Sequence, residues 1–108
     1  MNLKYILFGA VILPNFLFAD KSNIDCIPLE GENSIVCKYT QERVNYAKVV
    51  KFKWIDPNGV LSRERDMEIP AFYGSVYDYR YLSGRLKGQW KFQVIDRNNI
   101  YETTFIID

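Results

Sequence analysis

Beyond residue 20, large apolar side chains recur at every second position along several stretches of the chain. In VVKFKWI (49–55), Val50, Phe52 and Trp54 share one face, while Lys51 and Lys53 share the other. A period of two with a polar opposite face predicts a half-buried strand. The alternation stops at Asp56-Pro57-Asn58-Gly59, where Asp, Pro and Gly each suit a different position of a tight turn. VLSRERDMEIP (60–70) reads as a polar strand that ends irregularly at Pro70. SVYDYRYL (75–82) alternates Tyr77, Tyr79 and Tyr81 with Val76, Asp78 and Arg80, and Ser83-Gly84 breaks it.

The C-terminal stretch GQWKFQVIDRNNIYETTFIID predicts a hairpin. With Asn98-Asn99 at the centre of its turn, Trp90 faces Ile107, Phe92 faces Phe105 and Val94 faces Thr103. Both sets of large residues then fall on one side, so the register is self-consistent. TQERVNYAKVV (40–50) reads either as a short helix or as a connecting loop. No other stretch after residue 19 has good helical periodicity, and there are no repeats or flexible linkers. The expectation is one all-β domain, residues 20–108, built as an antiparallel β-sandwich of about seven strands.

The cysteines add a staple. Cys26 and Cys37 flank CIPLEGENSIVC. A two-residue turn at Gly31-Glu32, with Gly31 in the positive-φ position of a type II′ turn, sets Ile27 opposite Val36 and Cys26 opposite Cys37. Directly opposed residues lie within bridging distance, so a Cys26–Cys37 disulfide is expected. Pro28 cannot donate a ladder hydrogen bond, which assigns the first strand of this hairpin to a sheet edge.

Residues 1–19, MNLKYILFGAVILPNFLFA, have a positive start, an apolar middle and a small residue before Asp20. That order predicts a secretory signal cleaved after Ala19, and hence a protein of the periplasm or the exterior, where disulfides persist. An uncleaved anchor is disfavoured, because spanning a bilayer takes roughly 20 apolar residues without a Pro-Asn break. The whole chain carries 14 basic and 13 acidic side chains; losing Lys4 with the signal makes the two equal. Without a basic excess, nothing favours nucleic acid as a partner.

K-W-I-D-P-N-G, then Y-x-Y-x-Y-L, then G-x-W-x-F-x-V-x-D and T-x-F-I-I together resemble the immunoglobulin-like and fibronectin-type modules of bacterial exported proteins. The resemblance spans about residues 47–108 and implies an immunoglobulin-like sandwich with Trp54 as the core tryptophan of its third strand. The strand carrying Phe92 and Val94 has no Cys, so the inter-sheet disulfide of antibody domains is impossible here. Such modules share no single activity, and the resemblance carries over no catalytic residue.

Catalytic options are few. There is no His, so Ser-His-Asp and Cys-His arrangements are absent, and both thiols are expected to be oxidised. Asp56, Glu64, Asp66, Glu68 and Asp78 are available as paired carboxylates, but Glu64, Asp66 and Glu68 alternating with Arg63 and Arg65 fit a solvated strand face. Asp56, Asn58, Asp96, Asn98 and Asn99 are possible calcium ligands in two turns, yet the same residues are ordinary turn formers. The expectation is therefore no enzyme, no metal and no cofactor.

The aromatic excess remains. The simpler reading puts Tyr77, Tyr79 and Tyr81 on an inner face, so that Tyr79 joins Trp54, Trp90, Phe92 and Phe105 in the core. The other reading is an exposed aromatic strip flanked by Arg80 and Arg85. MEIPAFYGS (67–75) reads as an apolar loop whose Ile69, Phe72 and Tyr73 require either a cover or a partner. The expected function is a binding or assembly module that meets another protein through Ile69, Phe72, Tyr73, Arg80 and Arg85. An inhibitor of a hydrolase and a carbohydrate-binding module are the alternatives.

Overall fold

A computed structural model describes residues 22–108 and the backbone of one short strand, β1 (Phe8–Val11). The expected signal segment, 1–19, otherwise lies outside the described residues. Seven further strands follow: β2 (Asn23–Leu29), β3 (Ser34–Thr40), β4 (Lys48–Ile55), β5 (Leu61–Ile69), β6 (Ser75–Tyr81), β7 (Gly88–Asp96) and β8 (Asn99–Ile107). They form two antiparallel sheets, ordered β1-β8-β7-β4-β5 and β2-β3-β6. The chain is an all-β sandwich, as its alternation predicts. Taken in order from β2, the first, second and fifth strands share one sheet, and the third, sixth and seventh share the other. The fourth strand lies beside the third, at the edge of the second of these sheets.

The core forms where the two inner faces meet. Phe52, Trp54, Phe92 and Phe105 of one sheet are fully covered, as are Ile35, Cys37 and Tyr39 of the other. Trp54 meets Phe92 edge-on with centroids 4.9 Å apart, and Trp90 stacks on Phe105 at 6.2 Å. Trp54, Trp90, Phe92 and Phe105 are thus in the core as expected. Gly88 opens β7 at φ +128 beside Pro57 of the β4–β5 turn, where a Cβ would lie only 3.0 Å from the Pro57 Cβ. Both the backbone angle and the close approach require glycine there.

Three local expectations are corrected. The β2–β3 register is as derived, with Cys26 opposite Cys37 and Ile27 opposite Val36. The turn is different, however: Glu30–Glu32 form a single 3₁₀ turn, and Asn33, not Gly31, takes the left-handed conformation at φ 52. Asn tolerates that region and closes the turn with an N–H bond to the Glu30 carbonyl, 3.3 Å. In the terminal hairpin the turn centres on Arg97-Asn98, with Arg97 at φ 58, so Trp90 faces Phe105, Phe92 faces Thr103 and Val94 faces Tyr101. The slip is two residues, so every side chain keeps its face. Finally, Met67, Glu68 and Ile69 belong to β5, which shortens the predicted 67–75 loop to residues 70–74. Residues 41–47 are a loop, not a helix.

Cys26 and Cys37 are bridged, with Cα atoms 4.0 Å apart and no exposure to water. The bond joins an edge strand, β2, to its neighbour β3 in the sheet. A second tie links the sheets. The Tyr39 hydroxyl of β3 donates to Asp96 Oδ2 of β7 at 2.7 Å, and Lys48 Nζ of β4 donates to the same oxygen at 2.8 Å. Burial pushes the Tyr39 hydroxyl well above the usual phenol range; Ser22 opposes the shift and the Asp96 carboxylate reinforces it.

Replacing both half-cystines with Ala is expected to lower unfolding free energy by about 2–3 kcal/mol, the value for closing so short a loop, as measured by urea titration. For Tyr39 the folded-state pKa lies above the ordinary value of 10.0, so its stabilisation is complete below that pH and lost as pH rises past it. The stability gap between the parent and Tyr39→Phe should therefore be constant up to about pH 10 and narrow above it. Urea titrations on both sides of that pH test this.

Candidate functional site

The structure places the expected contact residues in different environments. Phe72 and Tyr73, in the 70–74 loop, are 65% and 59% exposed. Ile69 is fully buried at the end of β5, inside the core and not on a contact surface. Arg80 is only 8% exposed, and Arg85 is half-buried in the segment after β6.

Tyr79, expected in the core, is 48% exposed, and Tyr77 and Tyr81 lie on the same outer face. The phase of β6 is thus opposite to the simpler reading. Asp78 and Arg80 point between the sheets, and the tyrosines point to water. The reason is electrostatic: Asp78 takes an inner position because donors on β4 and β5 satisfy it, and Arg80 lies inward over the Trp54 ring with Ser62 as its acceptor. Burying a charge is costly unless it is paired and hydrogen-bonded, so periodicity alone favours the tyrosines. The missed signal was complementary charge, Arg63 and Arg65 on the neighbouring strand against Asp78.

The 70–74 loop is held by its backbone. The Phe72 N–H donates to the Val44 carbonyl at 2.7 Å, Arg43 Nη1 donates to the Phe72 carbonyl at 3.1 Å, and the Tyr73 N–H donates to the Pro70 carbonyl at 3.1 Å. Phe72 sits at φ 68, a conformation that is unfavourable for a bulky side chain and persists only where surrounding bonds impose it.

Farther along the same margin, β5 and β6 form the facing edges of the two sheets. Between them lies a cleft of about 210 Å³ lined by Arg63, Arg65, Arg80 and Arg85, with Asp78 in its wall and Tyr79 and Tyr81 at its side. Asp78, whose side chain is 5% exposed, accepts from Arg65 Nη1 at 2.9 Å and Arg63 Nη1 at 3.2 Å. Trp54 Nε1 reaches it from the core at 3.1 Å, and the Tyr79 N–H reaches it at 3.0 Å. Arg80 lies over the Trp54 ring, 5.7 Å from its centroid, and gives Nη1 to Ser62 Oγ at 2.8 Å. Its Nε is buried with no hydrogen-bond partner. Burial lowers the Arg80 pKa to about 10; the charges of Arg85 and Arg63 add to the shift, and Asp78 opposes it. Arg80 therefore stays charged near neutral pH.

Asp56 and Glu64 are already engaged. Asp56 Oδ1 accepts from the N–H groups of Asn58 at 2.8 Å and Val60 at 2.9 Å, which is a turn-forming role. Glu64 lies 3.8 Å from Lys51 Nζ and 3.7 Å from Lys53 Nζ on an exposed strand face. Among the described residues, no group of three or more His, Cys, Asp or Glu side chains is placed to hold a metal ion, and no helix is long and apolar enough to cross a membrane.

Fold and site together define an all-β sandwich with a strained aromatic loop and a basic cleft along one margin. The chain matches no protein-family model and no curated protein.

Asp78→Ala leaves a buried indole N–H and two guanidinium groups without their shared acceptor. Because both arginines still reach water, the expected loss is about 1–3 kcal/mol. The exposed Glu64→Ala should cost no more than about 0.5 kcal/mol by the same chemical denaturation.

Proposed function

We propose that the chain is a non-catalytic binding or assembly module of the periplasm or the cell exterior, contacting a protein partner through the loop that presents Phe72 and Tyr73. One observation carries this reading: two large aromatic rings stand in water on a short loop whose backbone is tied down, and one of them is held in a left-handed conformation. Neither ring gains core burial in return for that strain. A rigid, exposed aromatic pair is the composition of an interface anchor, because ordering it on binding costs little entropy. The buried disulfide fits an oxidising compartment. The absence of His from the chain and the engagement of both Cys in that bond support a role without catalysis. The unpaired edges of β5 and β6 offer backbone groups beside the loop for a partner strand.

An inhibitor would use the same loop, inserted into an enzyme cleft. A carbohydrate platform fits less well. Tyr77, Tyr79 and Tyr81 are exposed, but the Tyr79 and Tyr81 rings cross at 85° and form no flat row for a sugar to lie on.

Phe72→Gly removes the ring and accepts the positive φ, so thermal stability should be unchanged or higher. Affinity for the partner, captured from the native envelope, should fall by about tenfold or more for Phe72→Gly and for Tyr73→Ala. Equal capture by the parent and both variants, at equal stability, would rule out the loop as the contact.

A further inference from the structure

The β5–β6 cleft is a second feature, separate in chemistry from the aromatic loop. Four guanidinium groups line it against one carboxylate, an excess of three positive charges. Asp78 is shared by Arg63 and Arg65. Among the described residues, no carboxylate pairs with Arg80 or Arg85. Arg85 is anchored at its stem end, Nε donating to the Tyr81 carbonyl at 2.9 Å. Arg80 is held in the wall by Ser62 and the Trp54 ring, yet keeps one buried N–H without an acceptor. Like charges held this close repel one another, and the chain's overall excess of one basic side chain, 14 against 13, does not account for three unmatched cations in one cleft. Fixed guanidinium forks with spare N–H donors are the side chains best matched to a carboxylate or phosphate-type oxyanion. A monoanion would leave two of the three charges unmatched, whereas a dianion leaves one.

We infer that the cleft between β5 and β6 binds a dianionic tetrahedral oxyanion, a phosphate group that is either free or carried as a monoester on a small polar molecule, for which free sulfate is a stand-in. Arg65, with half its side chain exposed, and Arg85 supply the first contacts, and Arg63 and Arg80 form the fixed wall. Asp78 holds Arg63 and Arg65 in place. The exposed rings of Tyr79 and Tyr81 flank the opening and cover the carrier. The site does not depend on the Phe72 loop and stands whether or not that loop meets a protein.

The test is titration of the full chain with inorganic phosphate and with sulfate, at ionic strength held constant with chloride, following backbone amide shifts and melting temperature. Saturable shifts at β5, β6 and Arg85, with a rise in melting temperature, are expected for both oxyanions and not for acetate. Arg65→Ala and Arg85→Ala leave Asp78 bonded to Arg63 and Trp54 and so keep the fold; each should weaken binding about tenfold. Arg85→Lys, which keeps the charge but loses the fork, should fall between. Glucose 6-phosphate distinguishes the sources: tighter binding than the bare phosphate ion assigns a carried monoester, and binding no tighter assigns the free ion. Phosphate shifts that follow those of acetate, or undiminished binding in both alanine variants, would overturn the assignment. Phe72→Gly should bind phosphate like the parent, so failure of the cleft and failure of the loop are read separately.

Discussion

A carboxylate removed from water is costly unless it is given hydrogen bonds and opposite charge. Asp78 meets that condition between the two sheets, and much of the adjoining margin is arranged by it. It draws the indole N–H of Trp54 from the core and two arginines from β5. To reach them, β6 must turn its even-numbered residues inward, which sends three tyrosines outward. Asp96 plays a parallel part elsewhere, taking the Tyr39 hydroxyl from the opposite sheet and Lys48 from a neighbouring strand. Each carboxylate accepts from one aromatic donor across the sandwich. The two layers are therefore fixed relative to each other by directional bonds as well as by apolar burial, which is non-directional.

This division explains which parts of the fold were legible in the sequence. Trp54, Trp90, Phe92 and Phe105 lie in strands whose apolar phase has no competitor, and alternation alone assigned their faces. The hairpin bearing Cys26 and Cys37 was legible in register because turn length fixes which residues oppose each other. Turn chemistry was less so. Asn33 and Arg97, not the neighbouring Gly31 and Asn99, take or border the left-handed positions, and only backbone geometry distinguishes such neighbours. The slip in the last hairpin was harmless because it was even. Tyr79 was misplaced because aromatic residues outrank Asp and Arg in any count of hydrophobicity. The charges that reverse the outcome sit on β5, a dozen or more residues away. Ile69 was misplaced because residues 67–69 fall in both the 60–70 strand reading and the 67–75 loop reading, and β5 runs through them.

Of the candidate site, the exposed aromatic pair was visible in composition, while the cleft was not. Arg63, Arg65, Arg80 and Arg85 are scattered over three segments, and no local window shows that they converge. The same residues also guard the sheet edges. Charged side chains along β5 discourage unselective pairing with other strands, while Phe72 and Tyr73 present apolar surface at its end. The margin thus combines a repellent stretch with a receptive one.

The placement of the disulfide has a kinetic corollary. Both sulfurs are sealed beneath the three-stranded sheet, and the bridge closes a hairpin at its rim instead of tying one layer to the other. A reductant can touch it only while β2 is peeled away, so the speed of reduction by a small thiol measures how often that rim frays. Once cut, the bond frees β2 while the five-stranded layer keeps its own ladder, making loss of the staple a local loosening before it becomes a collapse.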